Sequence, residues 1–105
     1  MSNHKTHTVK INVVGGNVLY DKPSISVDPE DTIEWVCENS QYHFAVHIGW
    51  DSPLRKGRYR ASMGKRISEK VPKKAPPGRY KYFVAVFDGT NIWTDDPDFI
   101  VKRRP

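Results

Sequence analysis

The chain has one cysteine, Cys37, in 105 residues, so it can form no internal disulfide and offers no cysteine pair with zinc spacing. No apolar run approaches the roughly 20 residues that a membrane-crossing helix needs. Met1 to Lys10 is polar and lacks the apolar stretch of a signal peptide. A lone cysteine and a leaderless start suit a cytoplasmic protein, although a periplasmic domain without its leader would read identically. Helical periodicity is also missing. The nearest stretch, residues 53–63, is broken by Gly57 and supports at most a turn or two of helix. There is no internal repeat, and Gly15-Gly16 lacks the lysine and the helix of a phosphate-binding loop. With 37% hydrophobic and 28% charged residues, the chain can bury a modest core and is not of disordered composition. At this length residues 1–105 make a single domain.

What is present alternates with period two. Val9, Ile11 and Val13 alternate with Lys10 and Asn12, and Gly15-Gly16-Asn17 turns the chain. Ile25 and Val27 alternate with serines, then Asp28-Pro29-Glu30-Asp31 makes a polar turn in which proline presets φ. Ile33, Trp35 and Cys37 share one face of the next strand, and Tyr42 to Ile48 begins another apolar stretch. Tyr80 to Phe87, after Pro76-Pro77-Gly78 and before Asp88-Gly89, is dense in aromatic and β-branched residues, and Phe99 to Val101 ends the series. About seven or eight short strands with frequent turns predict an all-β fold, an antiparallel Greek-key β-sandwich.

Charge is unevenly placed. Residues 1–50 carry a balance of −3, residues 51–81 of +9 and residues 82–105 of −1, giving the net +5. The basic middle, with Arg55, Lys56, Arg58, Arg60, Lys65, Arg66, Lys73 and Lys74, raises two readings. One is an anionic partner such as nucleic acid; the other is a solvated loop region that keeps strand edges unpaired. Trp50, Tyr59 and Trp93 lie in or beside loops and read either as exposed anchors of an interface or as rings packed over the core edge. Arg55-Lys-Gly-Arg-Tyr-Arg60 interleaves cations with an aromatic, a pattern that suits phosphate contacts with stacking.

Catalytic chemistry finds little support. Cys37 with His43 and Glu38 is the only nucleophile set, and Cys37 falls on the core face, where a thiol is inert. Asp95, Asp96 and Asp98 have neither the spacing nor the glycine of a calcium loop and read as a solvated turn.

The run Asp28 to Val36, the Asn39 after Cys37, and His43 in Tyr-His-Phe-Ala-Val resemble the central strand and first ligand loop of cupredoxins, the small blue-copper proteins. Pro77-Gly-Arg-Tyr-Lys-Tyr-Phe and Asp98-Phe-Ile-Val-Lys are similar to that family's last two strands. The resemblance implies a cupredoxin-like sandwich over most of the chain. It also implies a copper centre of one early histidine with a Cys, a second His and usually a Met before the final strand. His43 matches the first ligand, but the cysteine position holds Val84 and the second histidine position holds Phe87. Residues 88–98 contain no Cys, His or Met. A rearranged set of Cys37, His43, His47 and Met63 would need a sharp bend, because His43 and His47 lie about 13 Å apart along an extended strand. The other reading of these residues is a small core cysteine and hydrogen-bonded, partly buried histidines. If Met1 is removed, Ser2-Asn3-His4 forms an amino-terminal motif able to take Cu(II) or Ni(II).

These readings predict a non-catalytic cupredoxin-like binding module with no blue-copper site and no cofactor, recognising a protein partner. Copper-free relatives of the cupredoxin sandwich, such as ephrin-type ligands, serve as recognition modules. The candidate contact residues are Trp50, Arg55, Lys56, Arg58, Tyr59, Arg60, Lys65, Arg66, Lys73, Lys74 and Trp93. Nucleic acid or another polyanion on the basic segment 55–74 is the alternative, and an atypical copper or electron-transfer protein the second.

Overall fold

The computed structural model describes residues 4–39 and 41–102. The chain opens with β1 (Thr6–Val14), β2 (Asn17–Tyr20), β3 (Ser24–Val27), β4 (Thr32–Cys37) and β5 (His43–His47). It continues through β6 (Arg58–Ala61), β7 (Arg66–Lys70) and β8 (Gly78–Lys81), and closes with β9 (Phe83–Phe87), β10 (Ile92–Asp95) and β11 (Asp98–Val101). One sheet runs β2-β1-β4-β7, a second β10-β9-β5-β6 and a third β3-β11-β8.

The second and third sheets share one long hairpin. Val84 stands opposite Asp95 and Lys81 opposite Asp98, so the register passes unbroken from β9/β10 to β8/β11. At the junction the Tyr82 N–H donates to the Pro97 carbonyl at 3.0 Å. Inward positions keep period two across the break: Tyr82, Val84 and Val86 are all buried.

The layers close on one core that includes Val9 and Ile11 from β1, Ile33 and Trp35 from β4, Phe44 and Val46 from β5, and Phe99 from β11. Burying each such aliphatic or aromatic side chain contributes on the order of 2 kcal/mol. The Asp28–Asp31 turn is held from inside by a buried carboxylate. Asp31 Oδ1 accepts from the Lys5 N–H at 3.0 Å, and Oδ2 accepts from the Asp28 N–H at 3.0 Å and lies 2.8 Å from His7 Nε2. Glu30 turns through the left-handed region at φ 76° and pairs with His4 at 2.8 Å.

The predicted all-β sandwich is present, and its details differ from the sequence reading at four points. The described residues form eleven strands rather than about seven or eight. The unexpected ones, β2, β6, β7 and β10, are four or five residues long, and β2, β6 and β7 each bury a single side chain, too few to display alternation. Tyr80 to Phe87, read as one strand, divides at Tyr82 between two sheets. The pairing is mixed, because β1 runs parallel to β4 and β3 parallel to β11. Alternation is the same in parallel and antiparallel ladders, so it could not reveal this. No helix occurs in residues 53–63: buried Leu54 pins an irregular stretch to the core, and Arg58–Ala61 form β6.

Candidate functional site

The sheet β10-β9-β5-β6 has an inner face in the core and an outer face in solvent, and cross-strand register sets the outer face in three rows. Ile92 stands beside Phe87 and Phe87 beside His43. The next row is Thr94, Ala85, Ala45 and Arg60. The third is Phe83, His47 and Arg58. The alanines leave a trough between two rows of rings. Phe83 is 61% and Ile92 71% exposed, large values for apolar side chains in a strand.

Beside this face the chain from Ile48 to Gly57 closes a tight loop. The Gly57 carbonyl accepts from both the Ile48 and Gly49 N–H groups, at 2.7 and 2.9 Å. The Ser52 hydroxyl donates to the Lys56 carbonyl at 2.8 Å and accepts from the Leu54 N–H at 3.1 Å. Gly49, at φ 112°, adopts a conformation that L side chains disfavour. The loop leaves Trp50 fully exposed. Two adjoining depressions, of about 440 and 590 Å³, share His47, Lys56 and Arg58, and the first is also lined by Trp50.

The anticipated contact residues do not form one patch. Trp50, Lys56, Arg58 and Arg60 gather at this face, and Tyr59 turns inward below it. The Tyr59 hydroxyl accepts from the Lys56 N–H at 3.1 Å and donates to Glu69 Oε2 at 2.9 Å. Burial, with Glu69 opposing the Lys56 contact, pushes its pKa up to about 12, so it stays protonated. Arg55 is drawn to the same carboxylate at 3.5 Å. Arg66 lies on β7 in the other layer, where it pairs with Glu34 at 3.2 Å. Lys65 sits in the β6–β7 turn, and Lys73 and Lys74 lie in the turn after β7. Trp93 is half-buried and packs on Tyr42 with centroids 5.5 Å apart, as a ring over the core edge does.

Phe83, Ile92 and Phe87 escaped sequence reading. Tyr80 to Phe87 carries large apolar residues at both parities, so alternation alone did not expose an outward set; Tyr82, Val84 and Val86 together fix it.

His47 is exposed rather than partly buried, and neither it nor His43 makes a side-chain hydrogen bond among the described residues. His43 instead lies flat on Phe87, at 5.2 Å and 11° between planes. Val84, on the opposite face of β9, is wholly buried. Cys37 is half-buried at the core rim, on β4 of the other layer. Burial first, then the Glu38 charge, raises its thiol pKa, which disfavours the thiolate. Met63 is exposed beyond β6. These side chains do not fit a blue-copper centre: the ring at Phe87 covers His43, and the Val84 position points away from it. No three His, Cys, Asp or Glu side chains among the described residues are grouped to hold a metal ion. Ser2 and Asn3 of the amino-terminal motif lie outside the described residues.

The fold is a cupredoxin-like β-sandwich. It is similar to an oxidised mutant of amicyanin at TM-score 0.53 and 15% identity, over 90% of this chain and 82% of that one. A reduced Cu(I) mutant amicyanin at pH 4 matches at TM-score 0.53 and 14% identity, and a reduced-state mutant at 0.54 and 13%, each over the same shares of the two chains. No protein-family model and no curated protein matches the sequence. Among the described residues no helix is long and apolar enough to cross a membrane.

Proposed function

We propose that this protein is a non-catalytic recognition module that docks a protein partner on the outer face of the β10-β9-β5-β6 sheet. The observation that carries this reading is the exposure of Phe83 and Ile92 on a regular strand surface whose other face already supplies the core. Apolar side chains so exposed cost solubility, and a partner that covers them gains roughly 25 cal/mol for each Å² removed from water. The surroundings have the anatomy of an interface, with Phe, Trp and Arg together and small residues between them. Trp50 and Arg58 stand at its border, residue types that dominate binding energies.

The test compares capture of native partners by the wild-type chain and by the Phe83→Ser, Ile92→Ser double variant. Both side chains are largely in water, so folding stability should stay within about 0.5 kcal/mol of wild type for each. A polypeptide retained by the wild type after nuclease treatment and lost by the variant supports the reading. Equal retention by both shows that the partner docks elsewhere.

A further inference from the structure

The recognition face divides into a cationic edge and an apolar half. Arg58 and Arg60 project from the edge strand β6, and Lys56 precedes it. Among the described residues none of the three has an ion-pair partner, whereas Arg55, Arg66, Arg79 and Lys81 each meet a carboxylate. Neither depression at this edge is lined by an Asp or Glu. Two strands away, about 10 Å at ordinary strand spacing, β9 presents Phe83 and Phe87, and β10 adds Ile92. His47 and Ala45 lie between the two halves.

We infer that the partner presents an acidic stretch of polypeptide, its carboxylates over Arg58, Arg60 and Lys56 and its apolar side chains over Phe83 and Ile92. This rests on the face being a protein-docking surface, and it names the chemistry that surface selects. A guanidinium fork donates two parallel hydrogen bonds to a carboxylate, and three uncompensated cations at one edge favour an anionic partner over any other. Nucleic acid fits less well. A sugar-phosphate chain needs cations along its whole track, yet no Lys or Arg stands on β9 or β10, and Lys65, Arg66, Lys73 and Lys74 lie on other elements. An extended polypeptide places side chains three residues apart about 10 Å from one another, matching the spacing between the cationic edge and the apolar half.

The full chain, labelled with ¹⁵N, is titrated with a glutamate–tyrosine random copolymer, polyglutamate, a lysine–tyrosine copolymer and poly(U). The inference expects the glutamate–tyrosine copolymer to shift amides of residues 45–47, 56–60 and 83–87 and to bind more tightly than polyglutamate. Arg58→Glu with Arg60→Glu should weaken it by at least about tenfold. The Gln pair, which keeps the side-chain length, should weaken it less. The lysine–tyrosine copolymer should not bind. Equal affinity for that basic copolymer, tighter binding of poly(U) at the same amides, or no binding by any probe overturns the inference. The two readings fail separately. Loss of glutamate–tyrosine binding in Phe83→Ser, Ile92→Ser with none in the Arg variants leaves the docking face standing but removes its acidic partner. Loss in neither removes both.

Discussion

The Trp35 indole N–H donates to the Tyr82 hydroxyl at 3.1 Å, between rings 5.5 Å apart that meet edge to face. Both side chains are buried, and they join β4 of one layer to the break between β8 and β9 in the other. Burial, against the lowering effect of the Trp35 contact, pushes the Tyr82 pKa up to about 12, so the hydroxyl stays neutral. Tyr82→Phe keeps the ring and removes the acceptor, leaving a buried N–H unpaired at a cost of about 1–3 kcal/mol. Denaturant unfolding should show a lower midpoint with an unchanged slope. A loss below about 0.5 kcal/mol would mean that the indole finds another acceptor.

Asp31 makes stability sensitive to acid. Burial acts to raise its pKa, but the Lys5 and Asp28 N–H groups and His7 outweigh it and hold the carboxyl below its ordinary 3.8. A carboxyl with a lowered folded-state pKa adds stability above the unfolded value and loses it as pH falls through the folded one. Asp31→Asn removes a charged acceptor from contacts that tie β1 to the β3–β4 turn. It should cost about 1–3 kcal/mol at neutral pH. Unfolding curves of the two proteins should converge well below pH 3.8; a gap that persists there would trace the loss to packing rather than charge.

Much of this architecture was legible because alternation and burial agree residue by residue. Ile25 and Val27, Ile33 and Trp35, and Phe99 and Val101 are inward as their spacing demands. The recognition face was legible only in part. Arg58 and Arg60 stood out by charge, but Phe83 lies far off in sequence and two strands away, and only the register through His47 on β5 sets it in the same row as Arg58. The basic segment looked continuous because β6 and β7 are consecutive; the turn between them passes from one layer to the other and separates Arg60 from Arg66.

The stacked His43 and Phe87 predict how the protein meets copper. A blue-copper spectrum needs a thiolate bound with two imidazoles, whereas Cys37 lies in the other layer with its thiol pKa raised. Copper added to a variant with His4→Ala, which disables the amino-terminal motif, should give no intense thiolate charge-transfer band. Phe87→His restores an imidazole beside His43 but supplies no thiolate, so it too should stay without that band. A blue product that vanishes in Cys37→Ser would show that the layers rearrange around the metal.

The loop that displays Trp50 depends on the absence of a side chain at Gly57. A Cβ there would overlap the Gly49 carbonyl, and the Gly57 carbonyl already holds the N–H groups of Ile48 and Gly49. Gly57→Ala therefore forces the two ends of the loop apart and should cost about 1–3 kcal/mol. Trp50→Ala leaves the loop intact and, with the ring wholly in solvent, should change stability by less than about 0.5 kcal/mol. If Trp50 anchors the partner, its removal should weaken binding by at least about tenfold, the scale of an interface hot spot. Gly57→Ala should then weaken binding as well, with amide shifts centred on residues 47–58. Full affinity in Trp50→Ala together with reduced affinity in Gly57→Ala would assign the contact to Lys56 and Arg58 instead, because those cations follow the same loop and move when it opens.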